Sequence, residues 1–295
     1  MADAQFDVVG VGNAIVDVIS QADEALIKRL DLNKGTMTLI DADQAEWLYS
    51  EMGAGIETSG GSAANTLAGI ASLGGKGAYI GKVRDDQLGG VFSHDIQAAG
   101  VDYRLRAATE GPTTARCLIF VTPDADRTMQ TFLGVSVMLG PEDIDPEAIG
   151  DAKITYLEGY LFDRDEAKEA FVKAAELAHA AGRKVALSLS DPFCVDRHRA
   201  SFRHLVEGHV DILFANSDQR QPAREIRRRS LRRRRAFRAH PGIRVRCGRP
   251  DRLDLRRRGH QPLRRTPGNV SFSPREGKDG IIFPFGCIQR GRNAN

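Results

Sequence analysis

The sequence predicts an α/β protein with a doubly wound, mostly parallel sheet and a small β-sheet lid. Short apolar runs, such as FDVVGVG at residues 6–12 and KVALSLS at 184–190, alternate with segments of helical periodicity. Two β-rich segments, at residues 114–121 and 127–135, are joined by the turn TPDAD and indicate an inserted hairpin. Hydrophobic residues make up 41% of the 295 residues, which is enough for a large core without disulfides.

The first apolar run predicts a buried strand that delivers Asn13 and Asp17 to its end. Gly10 and Gly12 resemble the start of the dinucleotide-binding turn G-x-G-x-x-G, but Ile15 stands where the third glycine would be. Asp17 lies among apolar residues, where an unpaired carboxylate is costly, so we expect it to meet hydroxyl donors. The alternative is an aspartate that only caps a turn.

The central stretch is ETSGGSAANTLAGIASLGG at residues 57–75. Gly60 and Gly61 remove Cβ atoms where a ligand would approach the backbone, and Ser62 is the expected N-cap of a helix that continues to about Leu73. Asn65 is then one turn inside that helix. Because a helix N-terminus offers free amides, we expect a site for oxygen-rich ligands, the alternative being a glycine turn before a packed helix.

The remaining elements continue the strand and helix alternation. We predict a helix at 22–30, a short strand within 33–41 and a helix at 43–52. A strand and helix follow between 77 and 100, then a strand and turn at 154–162, a helix at about 164–181 and a strand at 210–216. Gly182 is expected to cap the long helix in a left-handed conformation. Ligands of such sheets bind at the carboxyl ends of the strands, where Asp17, Asn65 and Asn216 are expected.

Composition limits the class of protein. The four cysteines are widely separated and form no C-x-x-C pair, which favours a reducing compartment over a disulfide framework or a zinc site. No segment has the charge and hydropathy of a signal peptide or a membrane span. We therefore predict a cytoplasmic protein without a membrane partner.

Charge divides the chain at about residue 217. Residues 1–217 contain 19 Lys and Arg against 33 Asp and Glu, whereas residues 218–295 contain 23 against 6, and 22 of those 23 are Arg. This tail lacks a sustained apolar period, which predicts disorder or binding to a polyanion such as RNA, with Phe237 available for stacking. Translation in a shifted reading frame is a simpler interpretation, because alanine codons read out of register give arginine and proline codons.

Several motifs in order resemble the ribokinase-like (PfkB-type) carbohydrate kinases, with adenosine kinase and sugar kinase members nearest, over residues 5–216. The resemblance is carried by GVGNAIVD, SGGSAANTLAGIASLGG, AYIGKVRDDQLGG, TPDADRTMQTFLG, YLEGYLFD, LSLSDPF and VDILFAN. It implies an α/β domain at 1–217, a β lid formed by about 12–40 and 102–135, and phosphoryl transfer from ATP with Mg²⁺ to a primary hydroxyl of a nucleoside or sugar. A homodimer through the lid is a further expectation.

The resemblance also implies roles for individual residues in the substrate site. Asp17 and Asn65 would hold sugar hydroxyls, Gly60 and Gly61 would let the ring approach, and Asn13 would steady the first loop. Arg127, after the lid turn, matches an arginine near the phosphate or the closing lid; the alternative is a solvated hairpin charge.

The resemblance does not extend to the part of the chain, after about residue 217, that would bind the nucleotide. Asn216 matches the asparagine of N-x-x-E, which helps to organise Mg²⁺ and phosphate, but residue 219 is Gln. The C-terminal G-A-G-D, which would supply the anion hole and the catalytic aspartate, does not occur in the sequence. We therefore predict an impaired kinase, and the alternative is a non-catalytic nucleoside or sugar binder with a basic tail.

Overall fold

The computed structural model describes residues 4–162, 164–190 and 192–215, together with the backbone of residues 244–246. The side chains of residues 192 and 193 are not described. The prediction of a disordered or frameshifted tail therefore concerns residues that, apart from the strand at 244–246, lie outside the described part.

The central sheet has seven parallel strands among the described residues, in the order β12-β11-β10-β9-β1-β5-β6. These strands are β1 (Phe6–Val11), β5 (Gly77–Ile80), β6 (Val101–Tyr103), β9 (Ala152–Glu158), β10 (Lys184–Ser188), β11 (Ile212–Phe214) and β12 (Arg244–Arg246). The first strand pairs with β5 on one side and β9 on the other, so the sheet grows in two directions. The predicted doubly wound α/β class is confirmed.

Helices cover both faces of this sheet. The helices of the described chain are α1 (Glu24–Arg29), α2 (Ala42–Glu51), α3 (Ser62–Ser72), α4 (Gln87–Ala98), α5 (Pro146–Gly150), α6 (Asp165–Ala180), α7 (Pro192–Arg197) and α8 (Arg199–Gly208), with 3₁₀ turns at Gly134–Met138, Pro141–Asp143 and Gly159–Leu161. One core contains residues of α5, α6 and α8, and the second contains residues of α1 to α4. Gly182 follows the long helix with φ +71°, as predicted.

A second, mixed sheet has the order β3-β8-β7-β2-β4. Its strands are β2 (Ile15–Gln21), β3 (Met37–Leu39), β4 (Gly55–Gly60), β7 (Ala115–Val121) and β8 (Arg127–Phe132). The antiparallel pair β7 and β8 is the predicted hairpin. The strand β4 lies outside the two segments expected to form the lid, yet it pairs along β2 from residue 55 to residue 60. This pairing brings Gly60 directly beside Asp17.

The strand β1 is followed by a strand and not by a helix. A dinucleotide-binding turn requires a strand, a glycine turn and a helix whose N-terminus receives the pyrophosphate. The partial G-x-G-x-x-G pattern at Gly10 and Gly12 is therefore not such a turn. In the described part of the chain, no helix is long and apolar enough to cross a membrane.

Candidate functional site

The carboxylate of Asp17 lies on the open face of the second sheet. Its neighbours Val16 and Val18 are buried on the opposite face, and in the register of the sheet Asp17 is next to Thr58 of β4 and Cys117 of β7. Burial raises the pKa of Asp17 to about 6, and the positive charge of Arg127 partly opposes this rise. No described residue donates a hydrogen bond to this carboxylate. The hydroxyl donors expected from the sequence are therefore not protein groups of the described chain.

The glycine pair packs directly on this carboxylate and on the loop before it. A Cβ atom built on Gly60 would lie 2.4 Å from Cγ of Asp17. Gly61 has φ +92°, and a Cβ built there would lie 2.6 Å from the carbonyl oxygen of Asn13. Glycine is required at residue 61 both for its backbone conformation and for this close approach.

Asn13 is buried, with an exposed fraction of 1%, and links three segments. Its backbone N–H donates to Oε2 of Glu158 over 2.7 Å, and its Oδ1 accepts a hydrogen bond of 3.0 Å from the hydroxyl of Ser136. Its Nδ2 is buried and has no partner among the described residues. A buried amide donor without a partner is rare and is suited to a ligand oxygen.

The start of α3 differs from the predicted one. Gly61, not Ser62, is the N-cap residue, and Ser62 is the first residue of the helix. The hydroxyl of Ser62 donates to Oε1 of Glu158, and the backbone N–H of Ala63 donates to the same oxygen over 3.1 Å. The prediction of a Ser62 N-cap was wrong because the carboxylate of Glu158, 96 residues after Ser62, caps this helix instead. Asn65 is exposed on the first turn.

Glu158 is the site residue that the sequence analysis missed. It is the last residue of β9, is 1% exposed, and lies between the loop of Asn13 and the start of α3. Burial raises the pKa of Glu158, and the hydrogen bonds from Ser62, Asn13 and Ala63 oppose this rise. The available signal was a single acidic residue directly after the apolar run ITYL at the carboxyl end of a predicted strand.

Two further residues were predicted for the site, Arg127 and Asn216. Arg127 is the first residue of β8, is exposed, and interacts electrostatically with Asp17. Asn216 lies outside the described residues. The described part of the chain also contains no group of three or more His, Cys, Asp or Glu side chains arranged to hold a metal ion.

The fold and this site together point to a class of protein. The chain belongs to the pfkB family of carbohydrate kinases, whose family model matches residues 38–220. The membership predicted from the sequence motifs is confirmed, and the match ends close to the point where the composition of the chain changes.

Individual relatives are similar over most of the described residues. A probable sugar kinase protein from Rhizobium etli CFN 42 is 48% identical, with a TM-score of 0.69 and coverage of 79% of this chain and 72% of that one. The adenosine kinase from Sinorhizobium meliloti is 50% identical, with a TM-score of 0.69 and coverage of 77% and 71%. Guanosine-inosine kinase from Escherichia coli (strain K12) is 26% identical over 232 residues, which are 72% of this chain and 51% of that protein. The chain spans about half the length of the curated relatives it matches.

Proposed function

We propose that this chain carries the substrate site of a kinase of nucleosides or sugars, which uses ATP to phosphorylate a primary hydroxyl, with adenosine as the first substrate, and that phosphoryl transfer by this chain is impaired. The observation that carries the proposal is the carboxylate of Asp17, which is largely buried but receives no hydrogen bond from the described chain. A carboxylate in this state is prepared to accept hydrogen bonds from the hydroxyls of a ligand. The identity of 50% with an adenosine kinase supports the choice of adenosine.

The substrate roles follow from the chemistry of the side chains. Asp17 accepts hydrogen bonds from two sugar hydroxyls, and the unpartnered Nδ2 of Asn13 donates to a ligand oxygen. Asn65, exposed on the first turn of α3, supplies a further donor and acceptor. Arg127 balances negative charge on the same face of the second sheet. Gly60 and Gly61 keep the backbone of the pocket close to Asp17 and Asn13.

ATP would supply the phosphoryl group, and Mg²⁺ would neutralise the charge on its phosphates. The residue that the family resemblance assigns to this half, Asn216, lies outside the described residues. Among the described residues, no three carboxylate, imidazole or thiol side chains are grouped so that they could hold a metal ion. The proposal therefore assigns no described residue to ATP or Mg²⁺.

The open face of the second sheet also carries apolar side chains. Met37, Leu39 and Ile56 are 44%, 42% and 70% exposed, and their strand register places them on the same face as Asp17. This face is suited to close over a substrate. Pairing of two copies through the lid, which was expected from the sequence, stays a prediction.

We expect the purified chain to bind nucleoside but to phosphorylate it far more slowly than an intact kinase does. The sequence has no G-x-G-D, and loss of a general base costs about 10² to 10⁴ in rate. The measurement is ADP release with Mg·ATP and adenosine, ribose or fructose. Turnover at a rate typical of kinases would contradict the proposed impairment. Sequencing the source gene across codons 205–295 and translating each frame tests whether a neighbouring frame encodes the missing motif.

The affinity for nucleoside is expected to fall in acid. Asp17 has a pKa of about 6 in the free protein, and a protonated carboxyl group accepts hydroxyl hydrogen bonds less well than a carboxylate. The dissociation constant should be constant above pH 7 and about tenfold higher at pH 5. Isothermal titration calorimetry from pH 5 to 8 measures this. Replacing Arg127 by Gln removes the charge that lowers the pKa of Asp17, so the midpoint should move to higher pH.

A second candidate function is a non-catalytic nucleoside or sugar binder with a basic tail for an acidic partner. The excess of 23 basic over 6 acidic residues in 218–295 favours it. Such a protein would bind RNA or heparin with an affinity that falls steeply with salt and would ignore ATP. A kinase would bind Mg·ATP, and added polyanions would not change its affinity for nucleoside.

A further inference from the structure

The carboxylate of Glu158 is enclosed by donors from two other segments of the chain. It accepts hydrogen bonds from the backbone N–H of Asn13 over 2.7 Å, from the backbone N–H of Ala63 over 3.1 Å, and from the hydroxyl of Ser62. Its exposed fraction is 1%, so these contacts replace water rather than compete with it. A substrate in contact with Asp17 has no direct access to this carboxylate.

The surrounding backbone leaves no spare room around these contacts. A Cβ built on Gly12 would lie 2.6 Å from Oε2 of Glu158 and 2.7 Å from Cβ of Ala63. Any side chain at residue 12 would therefore push apart the end of β1, the start of α3 and Glu158. The arrangement joins the two segments that carry Asn13 and Asn65.

The same contacts occupy the N-terminus of α3. Free amides at a helix start attract anions. Here a carboxylate of the protein already accepts from Ala63 N–H and the Ser62 hydroxyl. The helix start is thereby tied to the end of β9 instead of being open to a ligand phosphate.

We propose that Glu158 is a positioning residue, which fixes the Asn13 loop and the first turn of α3 relative to each other so that Asn13 and Asn65 face one ligand. The part concerning affinity rests on the proposed nucleoside or sugar binding. The part concerning the two segments does not, because the contacts exist in the free protein. The proposed ligand binding and the proposed role of Glu158 can therefore be rejected independently.

The first test is hydrogen exchange of the unliganded full chain, followed by mass spectrometry. Glu158→Gln keeps the shape of the side chain but presents an amide NH₂ to one of three donors. We expect exchange at least about tenfold faster in residues 12–15 and 61–66, and unchanged exchange in α6. Glu46→Gln, at an exposed position of α2, is the matched control and should behave like the wild type. Unchanged exchange in both segments of the Glu158 variant would overturn the proposal.

The second test is calorimetric titration of adenosine into the same proteins. We expect affinity about tenfold or more lower for Glu158→Gln and unchanged for Glu46→Gln. In Glu158→Ala, formate can enter the vacated position, and we expect it to restore part of the affinity. Accelerated exchange with unchanged adenosine affinity would reject the positioning role. If the wild type binds neither nucleosides nor sugars, the proposed function fails, whereas exchange still decides whether Glu158 holds the two segments.

A variant with a smaller perturbation covers the case in which Glu158→Gln does not fold. Ser62→Ala removes one donor and leaves the carboxylate in place. We expect faster exchange in residues 61–66 and wild-type exchange in 12–15, because the bond from Asn13 remains. Equally faster exchange in both segments, or unchanged exchange in both, would contradict the proposal.

Discussion

Replacing Asp17 by Asn is expected to weaken nucleoside binding strongly while making the free protein more stable at neutral pH. The carboxylate supplies charge-assisted hydrogen bonds to ligand hydroxyls, each of which contributes about 1.5 to 3 kcal/mol. Loss of two such hydrogen bonds should lower the affinity for adenosine at least about 100-fold. The measurement is titration of adenosine into both proteins at pH 7.5.

The stability change in the same variant has the opposite sign. The pKa of Asp17 is raised from 3.8 to about 6, so the folded state holds the proton more tightly than the unfolded state does. Stability is therefore lost as pH rises through 6, by about 3 kcal/mol at most. The variant has no such charge and should melt several degrees higher than the wild type at pH 7.5, with a smaller difference at pH 4. A lower melting temperature at pH 7.5, or unchanged affinity for adenosine, would show that Asp17 has a structural role.

Replacing Gly61 by Ala should be strongly destabilising and should also weaken nucleoside binding. A Cβ at φ +92° is strained, and it would lie 2.6 Å from the carbonyl oxygen of Asn13. We expect a loss of about 2 to 4 kcal/mol in the free energy of unfolding. Urea denaturation measures this loss, and calorimetry of the folded fraction measures the affinity for adenosine.

Gly69 provides the matched control in the same helix. It lies in the interior of α3, is exposed, and a Cβ built there meets no atom within 4 Å. Gly69→Ala should therefore stabilise the protein by about 0.5 to 1 kcal/mol. The two substitutions add the same methyl group with opposite expected effects. Equal effects of both would contradict the assigned role of Gly61.

Much of the fold was accessible from the sequence because its elements are locally marked. The long helix has a repeating apolar face and ends before Gly182, and the hairpin strands flank a turn that contains proline and aspartates. The strand β4 was harder to predict. The segment GIETSG has little apolar alternation, and it becomes a strand because β2 offers an antiparallel edge for pairing.

The site was predicted only in part, because some of its features are local in the sequence and others depend on distant contacts. Asp17 and the glycine pair stand out because an acidic residue in an apolar run and two adjacent glycines are unusual locally. The contacts of Glu158 with Ser62 and Asn13 join residues 96 and 145 positions apart. Local patterns carry no information about such distant partners, so a local N-cap was assigned to Ser62.

The most direct test of the account is calorimetric titration of adenosine, ribose and fructose into the full chain at pH 7.5. We expect saturable binding of one ligand per chain, strongest for adenosine, with a parallel rise in melting temperature as ligand is added. That result would support a nucleoside pocket built on Asp17. If none of these ligands gives heat or a melting shift up to millimolar concentration, the described pocket is not a nucleoside or sugar site.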